Sequence, residues 1–326
     1  MMRLALALSL AIGAAGAAFA QGGAGEARWP ERPIRMLVPL PAGAAVDIVA
    51  RLVCQKLGDR LGQPIIIENR AGASGALAAD VVAKAAPDGY TLGMATSTTH
   101  VTASILNAKL PYDPVKDFVP VALIGIVPYV LTVSPGLPAR NLSELLALAK
   151  ARPRSLSYSS VGQASLAHLA TELMSTMAGV ELNHVPYRTT VQAVLDLSEG
   201  RIDITFGVLG TSLPLIREGK IRALAVAIDK RAEELPDVPT MAEAGLPGFE
   251  ASLWFAVVAP AAMPPALVER LNREINAIVS EPEIRKSLAA QAIEVRPSPP
   301  EKLRELIRTD IVKWREIAAR AGVKPE

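Results

Sequence analysis

The sequence holds a single cysteine, Cys54, among 326 residues. An intramolecular disulfide is excluded, and the fold must rest on apolar burial. Cys54 stands among Val49, Leu52, Val53 and Leu57, apolar residues at helical spacing, and is expected to be a buried, inert thiol. Histidine is nearly as scarce. No two of His100, His168 and His184 have the i, i+3 or i, i+4 spacing of a helical metal pair, so no metal site is expected. Charge of one sign is not in excess: 34 Lys and Arg against 32 Asp and Glu leave a net charge of +2. The basic residues are scattered, which argues against nucleic acid as a partner. No stretch reaches the roughly 20 uninterrupted apolar residues that a bilayer-spanning helix needs. Short-period repeats and low-complexity tracts are also absent, so a solenoid is not expected.

Residues 1–20 open with Arg3, continue through a Leu/Ala-rich run and close on Ala18-Phe19-Ala20. This is the pattern of a secretory signal peptide with cleavage after Ala20. No cysteine stands at the junction, where a lipoprotein would need one, so the expected destination is a periplasm. The remaining chain, about 300 residues, is too long for one ordinary core and suits two compact lobes.

Strand-like and helix-like segments alternate, the signature of an α/β protein with mostly parallel sheets. Strands are expected at Ile34 to Val38, Pro64 to Glu68 and Tyr90 to Ala95, with helices at Val46 to Leu61 and Ser74 to Ala85. Val119 to Val133 is strand-rich but interrupted by Gly125 and Pro128, and reads as the passage into a second lobe. There, helices Leu142 to Ala151, Leu166 to Ala178 and Val191 to Glu199 alternate with strands Ser155 to Ser159, Glu181 to Val185 and Asp203 to Gly207. Arg222 to Ile228 is a further strand. Ser252 to Val258 returns the chain to the first lobe, which helices Pro265 to Ser280, Glu283 to Gln291 and Pro300 to Ala321 complete. The expected lobes are 29–125 with 250–326, and 126–249, joined by a hinge.

In open α/β sheets, ligands bind at the carboxyl ends of the strands. Four loops qualify. Pro39 to Asp47 runs from strand through tight loop to helix start, where unpaired N–H groups and the positive end of the dipole favour an anion. The Gly-Lys-Ser/Thr ending of a Walker-type cradle is missing, and a carboxylate suits the loop as well as a phosphate. Gly43 would let the backbone approach a ligand, and Asp47 either complements the dipole or touches the ligand. The second loop is Thr96 to His100, a cluster of hydroxyls. The third, Ser159 to Ser165, leads to the helix bearing His168, and Ser160 and Ser165 are caps, ligand contacts or both. In the fourth, Pro186 to Thr190, Tyr187 is an aromatic candidate for a cleft wall. Arg188 either balances a ligand carboxylate or is a solvated surface arginine.

Ser165 and His168 invite a nucleophile-and-base reading, but no orienting carboxylate is recognisable. The Gly-x-Ser-x-Gly elbow is absent too, and Gly72-Ala-Ser74-Gly75 has the wrong spacing. A non-catalytic protein is expected, with a secreted Ser/His hydrolase as the distant alternative. Trp254 and Phe255, on the return strand, are expected in the core.

A set of landmarks in order carries a resemblance. They include Trp-Pro-Glu-Arg-Pro-Ile34, Val-Pro-Leu-Pro-Ala-Gly43 with Asp47, Glu-Asn-Arg70, and Pro-Asp-Gly-Tyr-Thr91. Leu-Pro-Tyr-Asp-Pro114, Tyr-Ser-Ser-Val-Gly162 with His168, His-Val-Pro-Tyr-Arg188, Leu-Pro-Asp-Val-Pro-Thr240 and Glu-Ala-Gly245 follow. From about Trp29 onward the chain resembles the substrate-binding proteins of tripartite tricarboxylate transporters, the TctC-like or Bug family. The resemblance implies a two-lobed periplasmic-binding-protein fold, with two mixed, mostly parallel sheets joined by a hinge. It implies a monomeric receptor without cofactor that captures a di-, tri- or aromatic carboxylate and delivers it to membrane permease subunits. A receptor that presents its ligand to a membrane sensor kinase is the alternative. Carried over residue by residue, the ligand contacts would be Ala42, Gly43 and Asp47 on one side. On the other stand Ser160, Gly162, Ser165, Tyr187 and Arg188, with Thr98 and Thr99 on the rim. Two positions depart from the family pattern: Ala44 and Thr189 stand where glycine is usual, and Thr189 would add a hydroxyl near the ligand.

Overall fold

A strand that is apolar on both faces must lie inside a layered sheet. Ile34–Val38 (β1) meets that condition, with Ile34, Met36, Leu37 and Val38 all buried. The computed structural model describes residues 29–163 and 165–323, and the expected signal peptide lies outside them. β1 is followed by Ala45–Leu61 (α1), Ile65–Asn69 (β2), Ala76–Ala83 (α2), Thr91–Thr96 (β3), Ala103–Leu106 (α3) and the long Phe118–Val133 (β4). Next come Leu142–Ala151 (α4), Ser157–Ser160 (β5), Leu166–Ala178 (α5), Asn183–Pro186 (β6), Thr190–Ser198 (α6), Ile204–Val208 (β7), Leu209–Arg217 (α7) and Arg222–Val226 (β8). Ser252–Pro260 (β9), Pro265–Val279 (α8), Pro282–Ala289 (α9), Glu294–Val295 (β10) and Pro300–Arg320 (α10) finish the chain.

α1 packs Val46, Val49, Val53, Cys54 and Leu57 inward and stops at Gly62 (φ 71°), whose N–H bonds the Gly58 carbonyl at 2.9 Å. Cys54 is buried, and burial pushes its thiol up to about 12.

The strands form a path β2-β1-β3-β9-β4-β7-β5-β6. β1 is parallel to β2 and β3, and β5 is parallel to β6 and β7. Between these two parallel groups run β4 and β9, antiparallel to each other. β4 is the shared element: residues 118–128 pair with β9, and residues 129–133 pair with β7. The breaks that the sequence suggests at Gly125 and Pro128 do not occur; β4 runs through both. Pro128 has no N–H to donate, and it stands where the strand changes partner. A Cβ on Gly125 would lie 2.5 Å from the Glu294 carbonyl oxygen, so glycine is what lets β10 close onto β4. Arg296, just after β10, donates to both Asp229 oxygens at 2.6 and 3.1 Å, tying the ends of β10 and β8 on either half of β4.

Sequence reasoning missed α7, α3 and the π turn at Thr98–Thr102. α7 holds Gly210 and Pro214, which in sequence read as breaks. Trp254 and Phe255 lie in the core, and Trp254 Nε1 donates to buried Asp310 at 3.1 Å. Beside Trp254 sits His100, 1% exposed, its ring centroid 4.7 Å from that of Phe118 and 6.3 Å from that of Tyr112. Burial pushes His100 down to about 3. An unfolded histidine titrates near 6.5, so below that pH the unfolded chain takes up a proton that the folded chain refuses. The contribution of His100 to stability is therefore fully present above about pH 6.5 and is lost as the pH drops toward 3. Urea midpoints measured from pH 7.5 to 4 should fall less steeply in His100→Phe than in the parent chain; identical slopes would remove His100 from the acid response.

Candidate functional site

The carboxyl ends of β1, β2 and β3 carry three loops that touch. Loop 39–44 turns at Gly43, whose φ of 87° is the left-handed region. Ala44 is the N-cap of α1 with extended backbone (φ −68°, ψ 154°), so its methyl group adds no backbone strain. No side chain caps α1 from the front. Instead Asp47, three residues into the helix, reaches back, and its Oδ2 accepts the Gly43 N–H at 2.9 Å. Arg51 donates to both Asp47 oxygens at 2.9 and 3.0 Å, and Asn69 Nδ2 donates to Oδ1 at 2.8 Å and to the Leu40 carbonyl at 2.9 Å. The Arg51 hydrogen bonds, helped by Gly43 and Asn69, hold the Asp47 carboxyl down to about 2. Asp47 is 1% exposed and both its oxygens are engaged, so the residue offered by the sequence as a ligand contact is committed to the loop's own backbone. The N–H groups of Ala45 and Val46, at the start of α1, have no intrahelical acceptor.

Loop 70–75 was not recognised from sequence as part of the site. Four consecutive residues are left-handed: Gly72 (φ 132°), Ala73 (46°), Ser74 (55°) and Gly75 (88°). For Ala73 and Ser74 this costs roughly 1–2 kcal/mol each. A Cβ on Gly75 would lie 2.8 Å from Pro39 Cβ and 2.6 Å from Thr99 Cγ2, so Gly75 is where the three loops meet. The signal was a pair of glycines three apart between a strand and a helix. In the third loop Thr98 is exposed, whereas Thr99 is buried, donating to the Thr96 carbonyl at 3.1 Å and lying 2.9 Å from His100 Nδ1.

A second group of loops follows β5 and β6. Ser160 Oγ lies 2.6 Å from His184 Nε2 and accepts the Gly162 N–H at 3.1 Å, which fixes the turn at Gly162 (φ 116°). Ser165, the N-cap of α5, accepts the His168 N–H at 3.4 Å and donates to the Gly162 carbonyl at 2.8 Å. The two residues of the hydrolase alternative thus meet in a helix cap. The Tyr187 N–H donates to the Ser160 carbonyl at 2.7 Å and joins the loops, while its hydroxyl donates to Asp196 at 3.0 Å. Thr189 caps α6 by accepting the Gln192 N–H at 3.2 Å; its φ of −141° suits any residue, so threonine serves the helix here. Arg188 is exposed and makes no hydrogen bond or ion pair among the described residues. Beneath these loops His168 and His184 stack with centroids 4.5 Å apart, and Tyr158, stacked on His184, donates to Glu172 at 2.7 Å. Burial lowers both imidazole pKa values and the nearby Glu172 opposes it, so both rings favour the neutral state.

The loop conformations separate three substitutions. Gly43→Ala should destabilise by about 1 kcal/mol through its left-handed φ, and Gly75→Ala by more, through contact with Pro39 and Thr99. Ala44→Gly should cost about 1 kcal/mol at most. Urea unfolding of the three variants checks the order; an Ala44→Gly chain less stable than Gly75→Ala would contradict it.

Two groups of parallel strands, each ending in helix starts and bridged by β4 and β9, define the two-lobed fold of periplasmic solute-binding proteins. Residues 49–323 match the model of the tripartite tricarboxylate transporter family receptor, and the chain belongs to that family. It is 38% identical over 297 residues to the protein BugT of Bordetella pertussis, covering 91% of each chain. Among solved structures it is similar to R. palustris Rpa4515 with adipate (38% identity, TM-score 0.74, 91% of this chain and 100% of that one). It is also similar to MatC from Rhodopseudomonas palustris with bound malate (35% identity, TM-score 0.69, 89% and 99%).

Proposed function

We propose that this protein is a non-catalytic periplasmic receptor that closes on a small organic carboxylate and delivers it to the permease of a tripartite transporter. The observation that carries this reading is the first loop: a helix start with free N–H groups, no capping side chain and no phosphate-type lysine, held open by the Asp47 carboxylate from behind. Family membership and two similar receptors solved with adipate and malate support it. The lobes are 29–125 with 250–326, and 126–249, hinged where β4 and β9 cross. Export after cleavage at Ala20 places the receptor in the periplasm.

In this reading the ligand carboxylate binds beside Ala42 and Gly43 at the N-terminus of α1, with Thr98 on the rim. Loops carrying Ser160, Gly162, Ser165, Tyr187, Arg188 and Thr189 close from the other lobe. Asp47 and Thr99 are positioning residues. An anion gains from the dipole and from N–H donors already oriented by the folded loop. Titration calorimetry of the mature chain against a panel of di-, tri- and aromatic carboxylates should give heat with at least one acid, weakened roughly tenfold or more in Asp47→Ala. No heat and no thermal shift with any acid would overturn the proposal.

A further inference from the structure

Resting on the receptor reading, we propose that the groove between α5 and α10 is a docking site for an acidic, amphipathic segment of the permease. The groove encloses about 530 Å³, with Leu173 of α5 on one side and Val312 and Ile317 of α10 on the other. Leu173 stands about two turns into its helix, behind the loop that carries Ser165. Val312 is 67% exposed, more than any other large apolar side chain among the described residues, and Met177, one turn beyond Leu173, is 39% exposed. Apolar side chains left in water beside a concave surface gain from being covered.

Charge chooses the occupant. Of the six basic residues of α10, Lys302 pairs with Glu305, Lys313 with Asp310 and Arg320 with Glu316. Arg304, Arg308 and Arg315 have no hydrogen bond or ion pair among the described residues, and Glu301 is the one carboxylate of the helix left over. At about 100° per residue the three arginines fall within about 40° of arc, a stripe about three turns long beside Val312. No other helix among the described residues carries more than two unpaired basic side chains. These guanidinium groups give up no internal partner when they meet carboxylates, and their fork geometry suits the pairing. A segment with carboxylates along one side and apolar residues along the other matches stripe and groove together, as an amphipathic helix matches a groove. α10 belongs to residues 250–326 and α5 to residues 126–249, so a segment seated between them touches both lobes of the receptor reading. The permease thereby meets a surface whose shape depends on how the lobes stand.

The test is uptake of the tightest-binding acid of the carboxylate panel into phosphatidylcholine proteoliposomes that hold the permease, with the mature chain supplied outside. Arg304→Glu, Arg308→Glu and Arg315→Glu combined, and Val312→Asp alone, should each lower receptor-dependent uptake about tenfold while acid affinity stays within about twofold. Circular dichroism confirms that the variants are folded, and the corresponding triple change to Gln is the milder form. Raising the ionic strength from about 0.05 to about 0.5 M should weaken uptake with the parent chain more than with the triple variant. Uptake with the triple variant equal to the parent's, or no uptake with a parent chain that binds the acid, would overturn the docking site. An equal loss of acid affinity would place the arginines in ligand binding, and arginine-dependent binding to phosphatidylglycerol vesicles without protein would assign the stripe to a membrane surface; either overturns the proposal. Absence of binding by any acid would instead remove the receptor reading on which the inference stands.

Discussion

The shape of the loop after β1 depends on the hydrogen bond from the Gly43 N–H to the Asp47 carboxylate. A left-handed glycine in an exposed loop has many alternatives in the absence of a restraint. Asp47 supplies the restraint, and its charge is favourable where it stands, in the first turn of α1 and against Arg51. The Arg51 hydrogen bonds, with those from Gly43 and Asn69, hold its pKa down to about 2, so the carboxylate is ionised at neutral pH. The consequence is an inversion of the usual cap. The carboxylate lies behind the loop instead of in front of the helix, and the leading N–H groups of α1 are left without an intrahelical acceptor. In the second group of loops Ser165 and Thr189 cap their own helices, so the two sides differ in chemistry: one offers unpaired N–H groups, the other closed caps, apolar side chains and an arginine.

The architecture keeps these two sides in register through β4. A single strand pairs with β9 along one half and with β7 along the other, so both loop clusters are tied to the same element. Pro128 marks the change, and the short strands β8 and β10 flank it, linked by Asp229 and Arg296. The loops within each cluster are also fastened to one another, by Gly75 against Pro39 and Thr99 on one side and by Tyr187 to Ser160 on the other.

Much of this was legible in the chain. Alternating apolar runs and helical spacing placed β1, α4 and α5 at their observed residues, because burial on one face or both leaves a direct mark on sequence. The elements that escaped lack that mark. α7 carries glycine and proline inside the helix, and the π turn after β3 is polar in sequence yet buried at Thr99 and His100. Gly125 and Pro128 read as breaks because their purpose, admitting β10 and changing partners, depends on strands distant in the chain. The loops after β1, β5 and β6 fall at the strand ends where the sequence expects them, but the engagement of each of their polar groups was not legible. Whether a hydroxyl is free or already bonded depends on partners such as His184, 24 residues from Ser160, and Asn69, 22 residues from Asp47. The left-handed run at 72–75 escaped for the same reason, since only contact with Pro39 and Thr99 gives it meaning.

The most direct measurement is a crystal structure of the chain with a bound dicarboxylate. One carboxylate should lie within about 3.2 Å of the Ala45 or Val46 N–H, with Asp47 still accepting the Gly43 N–H from behind the loop. A ligand bound away from α1, or an Asp47 side chain swung out to meet it, would contradict the arrangement described here.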